Sequence, residues 1–406
     1  MGALSQFLKE QKHLFLADVA ANNLGRWTVV TGNEAGDLDT QASAIAYAYL
    51  TTTLLQQPTI AFSRTARADL HLRPENTFAF QRAGVDPTDL LCVDDLPHPL
   101  PALPKMALVD HNRLGPEFSQ GAEVVGIIDH HDDEHLYPTA NPRVILPPTQ
   151  AGSCTSLVTS HFRALWEQHL SDVPGEIAFL LLCTILIDTG ALKADGKAQP
   201  VDRQAAAFLM PLAGFPAPAS LSADAVPPEV EELATELITK KFDVGRLSTR
   251  DLLRRDYKEY TVSGEGEGGK KVQLGLATVP LGLKLWADKD PKLWEGVDAY
   301  IHERGLDVCG LLTTFRTANK GKHRREVVLV LRPAGNAELL RLLEEGLEGS
   351  AELSLVREPK KEALGTATGV EGEERRRVWD QGNVKATRKQ VAPLVLGVCR
   401  RYLGEV

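Results

Sequence analysis

Aspartates recur at the ends of short apolar runs in this chain, and one of them is followed by two histidines. Asp129-His130-His131 closes Val124-Val125-Gly126-Ile127-Ile128, Asp110 ends Met106-Ala107-Leu108-Val109, and Asp188 ends the run from Phe179 to Ile187. Asp37 and Asp39 follow the strand-like Trp27 to Thr31. A carboxylate at the end of a buried run must find compensation there, because burying it unpaired is costly. Carboxylates and an imidazole gathered at one edge of a buried sheet suit a pair of divalent cations, which take hard oxygen ligands. The pattern predicts a metal-dependent enzyme.

The periodicity around these runs predicts the fold class. From residue 27 to about 190, short apolar segments alternate with helical patterns, as in a mostly parallel, doubly wound α/β sheet. Strands are expected at Trp27–Thr31, Thr59–Phe62, Leu90–Val93, Met106–Val109 and Val124–Ile128. Helices are expected at Leu38–Leu55, Ser153–His169, Glu176–Ile187 and Val201–Leu209. Ligands of such sheets bind beyond the carboxyl ends of the strands, where Asp37, Asp110 and Asp129 fall.

A Pro-rich stretch, with Pro211, Pro216, Pro218, Pro227 and Pro228, reads as a linker over 213–228. It separates a catalytic domain, 1–212, from a smaller α/β domain, 229–406. In the latter, Glu229–Phe242, Ala337–Leu347 and Lys389–Leu403 read as helices. Glu259–Val262 with Lys271–Thr278, the turn lying at Gly264–Gly269, and Val308–Phe315 with Glu326–Leu331 read as hairpins. Residues 359–377 read as a solvated loop.

Composition narrows the function. A formal net charge of -9 argues against broad nucleic-acid binding. The cysteines, Cys92, Cys154, Cys183, Cys309 and Cys399, form no Cys-x-x-Cys pair and fit a reducing cytoplasm. Neither a secretory signal nor a run long enough to span a membrane is expected.

Gly32-Asn33-Glu34-Ala35-Gly36-Asp37-Leu38-Asp39 follows a strand and opens a helix, projecting Asn33, Asp37 and Asp39 toward the strand-end crevice. Helix capping is the plainer explanation for those residues taken singly. Asp110, before His111 and Asn112, stands where one carboxylate can bridge two cations. Gly152-Ser153-Cys154-Thr155 precedes a helix and offers N–H groups to an anion, with simple capping the more ordinary reading.

Together these motifs resemble the DHH phosphoesterase superfamily, and within it the fungal exopolyphosphatase and prune branch. Arg255-Asp256-Tyr257-Lys258 and Thr387-Arg388-Lys389-Gln390 extend the likeness to the C-terminal domain shared with manganese-dependent family II pyrophosphatases. Those pyrophosphatases carry His where this chain has Asn33, which favours the exopolyphosphatase branch and, by replacing imidazole with an amide oxygen, a harder site.

The resemblance implies an active site in the interdomain cleft with two divalent ions, Mg2+ or Mn2+, Co2+ being a further candidate. Asn33 and Asp37 would hold one ion and Asp39, His130 and Asp188 the other, with Asp110 bridging. A hydroxide made acidic by both ions would attack a terminal phosphoanhydride. Catalytic roles fall to Asp110, His130 and His131, with His131 protonating the leaving oxygen. Lys258, Arg388 and Lys389 would clamp phosphates along with His131, while Asp256 positions Lys258.

A track for polyphosphate is expected among Lys240-Lys241, Arg254-Arg255, Lys270-Lys271 and Arg316 to Arg325, including Lys320. Arg375-Arg376-Arg377 reads as a solvated run. The implied protein is a cytoplasmic monomer or weak dimer that cleaves inorganic polyphosphate, with no nucleic-acid or membrane partner. A short-chain phosphohydrolase and a catalytically degenerate phosphate sensor are the alternatives.

Overall fold

The structure, a computed structural model, describes residues 2–404 apart from 119–120, 195, 219–221, 223–225, 265–268, 318–320, 334, 363 and 365–372. The chain divides into two compact units, Met1–Lys241 and Phe242–Val406.

The first unit contains α1 (Ala3–Ala20), β1 (Thr28–Thr31), α2 (Leu38–Leu54), β2 (Thr59–Ser63), α3 (Pro74–Arg82), β3 (Leu91–Cys92), β4 (Lys105–Val109) and β5 (Glu123–Asp129). It continues with β6 (Arg143–Ile145), α4 (Cys154–Trp166), α5 (Gly175–Thr189), α6 (Pro200–Leu212) and α7 (Pro228–Phe242). Its strands form one sheet in the order β3-β2-β1-β4-β5-β6, parallel throughout.

Both faces of this sheet are covered, which is why its strands read as continuous apolar runs rather than as alternating ones. Val30, Ala61, Ala107 and Ile128 point into a large core shared with α2, α4, α5 and α6. Their neighbours Val29, Ile60 and Met106 pack against Phe15, Trp27 and Phe118 on the other face. Val230, Leu233, Ala234 and Leu237 of α7 also enter the larger core. The edge strand β6, the helix α1 and the short α3 were not expected from the periodicity.

The strand order places the site. The chain builds outward from β1 through β2 to β3, then returns to β4 on the other side of β1. The carboxyl ends of β1 and β4 therefore flank the point where the winding reverses, the usual ligand crevice of such sheets. The Asn33–Asp39 loop follows β1 and Asp110 follows β4. Asp188 arrives differently, from the last turn of α5 rather than from a strand.

The second unit comprises α8 (Thr249–Arg255), β7 (Tyr257–Ser263), β8 (Lys271–Val279), α9 (Leu283–Lys289), α10 (Leu293–Arg304), β9 (Val308–Arg316) and β10 (His323–Leu331). It ends with α11 (Ala337–Glu348), β11 (Leu355–Arg357), α12 (Pro359–Glu362), β12 (Arg376–Gln381) and α13 (Arg388–Tyr402). The sheet order is β11-β12-β10-β9-β8-β7. The expected hairpins are the antiparallel pairs β7/β8 and β9/β10, and a parallel β8/β9 pairing joins them. Residues 265–268 of the first hairpin's turn lie outside the described residues.

The charged stretch 359–377 is not simply a solvated loop. It contributes α12 and the start of β12, which pairs with both β10 and β11. Arg376 is 3% exposed and its guanidinium lies 4.4 Å from the ring centre of Trp294. Arg375 forms an ion pair with Asp298. The aromatic and acidic partners are distant in sequence, so the basic run looked solvated when read alone. Among the described residues, no helix is long and apolar enough to cross a membrane.

Candidate metal centre

Asp37 caps α2, its Oδ1 accepting from Thr40 N at 3.1 Å. Asp39 lies in the first turn, buried to 3% exposure. Its carboxylate reaches across to α4 and accepts from Cys154 N at 2.7 Å and Thr155 N at 2.9 Å. The N–H groups of Cys154 and Thr155 are thus directed at Asp39, while Gly152 N donates to Asp202 Oδ2 at 2.8 Å.

Asp110 sits at φ +59, a left-handed conformation that Asp tolerates better than most residues. Backbone strain of this kind persists where the surroundings enforce it. Its Oδ2 accepts from Asn33 Nδ2 and Thr40 Oγ1, each at 2.7 Å. Its Oδ1 lies 3.2 Å from His130 Nε2 and 3.7 Å from His131 Nδ1. His130 Nε2 is also 3.7 Å from Asp39 Oδ2. Polar atoms of Asp110, His130 and His131 come within 4.8 Å of one another.

Asn33 is drawn into this cluster by its amide nitrogen, while its Oδ1 accepts from Ala35 N at 2.9 Å. The oxygen named as a ligand is thus engaged within the loop.

Electrostatics expresses the crowding of carboxylates. Burial pushes Asp39 well above the ordinary carboxylate range, and repulsion from Asp188, Asp110 and Asp37 adds to it. Burial likewise pushes Asp188 up to about 6, partly opposed by Lys241 of α7 and reinforced by Asp37 and Asp110. Burial would raise Asp110 too, but the His130 hydrogen bond, the His131 charge and Thr40 together hold it below the usual range.

The residues present fit a divalent-metal centre. Asp188 Oδ2 is buried and has no hydrogen-bond partner among the described residues. It also stands at the carboxyl end of α5, where the helix dipole disfavours negative charge. Cations would relieve both that penalty and the repulsion among Asp37, Asp39, Asp110 and Asp188.

A second layer was missed as such from the sequence. Asp129, fully buried, lies 2.8 Å by Oδ1 from His131 Nδ1 and accepts from Asn112 Nδ2 at 2.6 Å. An Nδ1–H facing that carboxylate fixes the tautomer and leaves His131 Nε2 as the other polar atom of a half-exposed ring. The Asp129-His130-His131 motif carried the signal, since its first member is the most buried.

In the second unit the structure joins the start of β7 to the start of α13. Arg388 Nη2 lies 2.8 Å from Asp256 Oδ1, and Arg388 Nη1 donates to Asp256 O at 3.1 Å. Asp256, expected to position Lys258, contacts Arg388 in this way. Lys258 pairs in register with Leu276, whereas Lys271 lies opposite Ser263. Lys270 and Lys271 are therefore at the other end of the hairpin, about 17 Å away at ~3.4 Å per residue. Arg316 and His323, paired at the β9/β10 turn, lie at the same sheet end as Lys258. Lys320 lies outside the described residues.

A reversing parallel sheet that bears a carboxylate and histidine cluster, followed by a second α/β unit, defines a two-part α/β protein with a cluster able to hold a metal ion in its first part. The chain belongs to the DHH family: residues 27–185 match the DHH family N-terminal domain and residues 235–398 match the DHHA2 domain. It is 30% identical to a Schizosaccharomyces pombe protein named "Putative exopolyphosphatase", over 97% of each chain. It is 28% identical to "Exopolyphosphatase PRUNE1" of Mus musculus, covering 92% of this chain and 76% of that one. A "Probable manganese-dependent inorganic pyrophosphatase" of Archaeoglobus fulgidus is 26% identical over 70% of this chain and 81% of its own length.

Proposed function

We propose that this chain, a metal-dependent hydrolase of the DHH family, is an exopolyphosphatase that releases orthophosphate from the ends of inorganic polyphosphate. The observation that carries the reading is the clustering of Asp39, Asp110, His130 and His131 at the reversal point of the sheet. Asp37, Asp39, Asp110, His130 and Asp188 would hold two divalent cations, Mg2+ or Mn2+, with Asn33 at the same loop. Bound there, such cations supply charge neutralisation and lower the pKa of water near neutral pH.

The chain's own groups supply the rest. Asp129 faces His131 Nδ1–H and would stabilise the ring when Nε2 is also protonated, so that Nε2 can pass that proton to the bridging oxygen as its bond to phosphorus breaks, leaving the neutral Nδ1–H ring. Lys258, Arg388 and Lys389 would neutralise phosphoryl oxygens, with Arg388 held in one orientation by Asp256. The cysteines among the described residues are free thiols and all buried, which supports a cytoplasmic protein. A monomer or weak dimer acting on this polyanion, without nucleic acid, completes the proposal.

A shorter substrate is the second reading, favoured by the likeness to the protein named as a manganese-dependent inorganic pyrophosphatase. Phosphate release from polyphosphates of defined length separates the two. An exopolyphosphatase sheds orthophosphate from long chains, and Arg388→Ala raises KM about tenfold while also lowering kcat. Cleavage confined to tripolyphosphate or pyrophosphate would reject the polymer in favour of the short-chain enzyme.

A further inference from the structure

We propose that Arg73 and Asn76, at the entry to α3, are positioning residues that hold the Asn33–Asp39 loop in its cation-binding shape. The inference rests on the metal reading above and extends it to two side chains that would touch neither cation nor substrate.

Arg73 is only 6% exposed, and it directs two N–H groups at one acceptor: Nε at 3.1 Å and Nη2 at 2.6 Å from Ala35 O. A buried guanidinium is costly unless its charge and donors are used. Here Glu75 answers the charge at 3.6 Å, and the planar fork grips the loop. Asn76, 3% exposed, donates from Nδ2 to Gly36 O at 3.0 Å. Its Oδ1 is buried with no hydrogen-bond partner among the described residues, so the contact with Gly36 is what its amide does here.

The next peptide explains why the loop needs holding. Gly36 adopts φ +62, and a Cβ there would stand 2.2 Å from Thr65 Oγ1. A glycine in that conformation has many alternatives in solution, and carbonyl anchors on both sides remove them.

The Ala35 residue is held at both ends: Arg73 takes its carbonyl, and Asn33 Oδ1 takes its N–H at 2.9 Å. Asn33 then reaches Asp110 Oδ2 at 2.7 Å. A continuous polar path thus runs from buried Arg73 through Ala35 and Asn33 to Asp110, while Asp37 and Asp39 follow directly after the gripped carbonyls. Outer-layer partners of this kind commonly set metal affinity.

The test uses the full chain, stripped with chelator and titrated with Mn2+ by calorimetry, alongside Arg73→Lys and Asn76→Ala. Each variant is expected to raise the Mn2+ dissociation constant about 10-fold or more, and excess Mn2+ should restore kcat. A merely structural role would lower the metal-free melting temperature and leave kcat beyond rescue by added metal. Affinities within about twofold of the parent, or activity that Mn2+ does not restore, would overturn the positioning role. If Arg73→Lys does not fold, Asn76→Ala decides alone. A parent that binds no Mn2+ would instead sink the metal reading, and this proposal with it.

Discussion

Asp110→Asn is expected to cut turnover by about 10³-fold or more while shifting the melting temperature by only a few degrees. The change removes a charge from the centre of the cluster and keeps nearly the same shape. Asn suits the φ +59 backbone at least as well as Asp, so the fold has no reason to yield. The amide oxygen can still accept from Asn33 and Thr40, but the negative charge that His130 and His131 face is gone. Initial rates of phosphate release together with a thermal melt decide the matter. Near-native turnover in a folded variant would remove Asp110 from the chemistry.

At one fixed concentration, about 100 times its dissociation constant at pH 8, Mn2+ is expected to raise the melting temperature of the chelator-stripped protein by roughly 5–10 °C at pH 8, and by clearly less at pH 5.5. The sign follows from Asp188. Its folded value of about 6 lies above the ordinary carboxylate value of about 3.9, so the folded protein holds that proton more tightly than the unfolded chain. Stability from this group is complete below pH ~4 and is lost as pH rises through about 6. Asp39 is shifted in the same direction. Metal-free protein therefore loses stability from this cluster across that window, and cations restore most where the carboxylates are ionised. An equal gain at both pH values would mean that Mn2+ binds elsewhere.

The catalytic half of the fold was legible because its strands are short, apolar and separated by helical periods. The edge strand β6 escaped notice because Arg143–Ile145 is brief and half-buried, giving no periodic signal. The carboxylates were visible through their places at the ends of apolar runs. Their partners were not: Asp39 accepts from α4 across more than a hundred residues, and Arg73 grips Ala35 from another helix. Such contacts depend on the packing of distant elements. Charged residues misled for the same reason. Arg376 looks solvated until Trp294 is placed beneath it.

Anomalous scattering from crystals loaded with Mn2+ tests the dinuclear centre most directly. Two manganese peaks should lie among Asp37, Asp39, Asp110, His130 and Asp188, with Asp110 touching both. A map with no manganese at those side chains, from crystals that take up the ion elsewhere, would contradict the metal assignment and the hydrolytic function drawn from it.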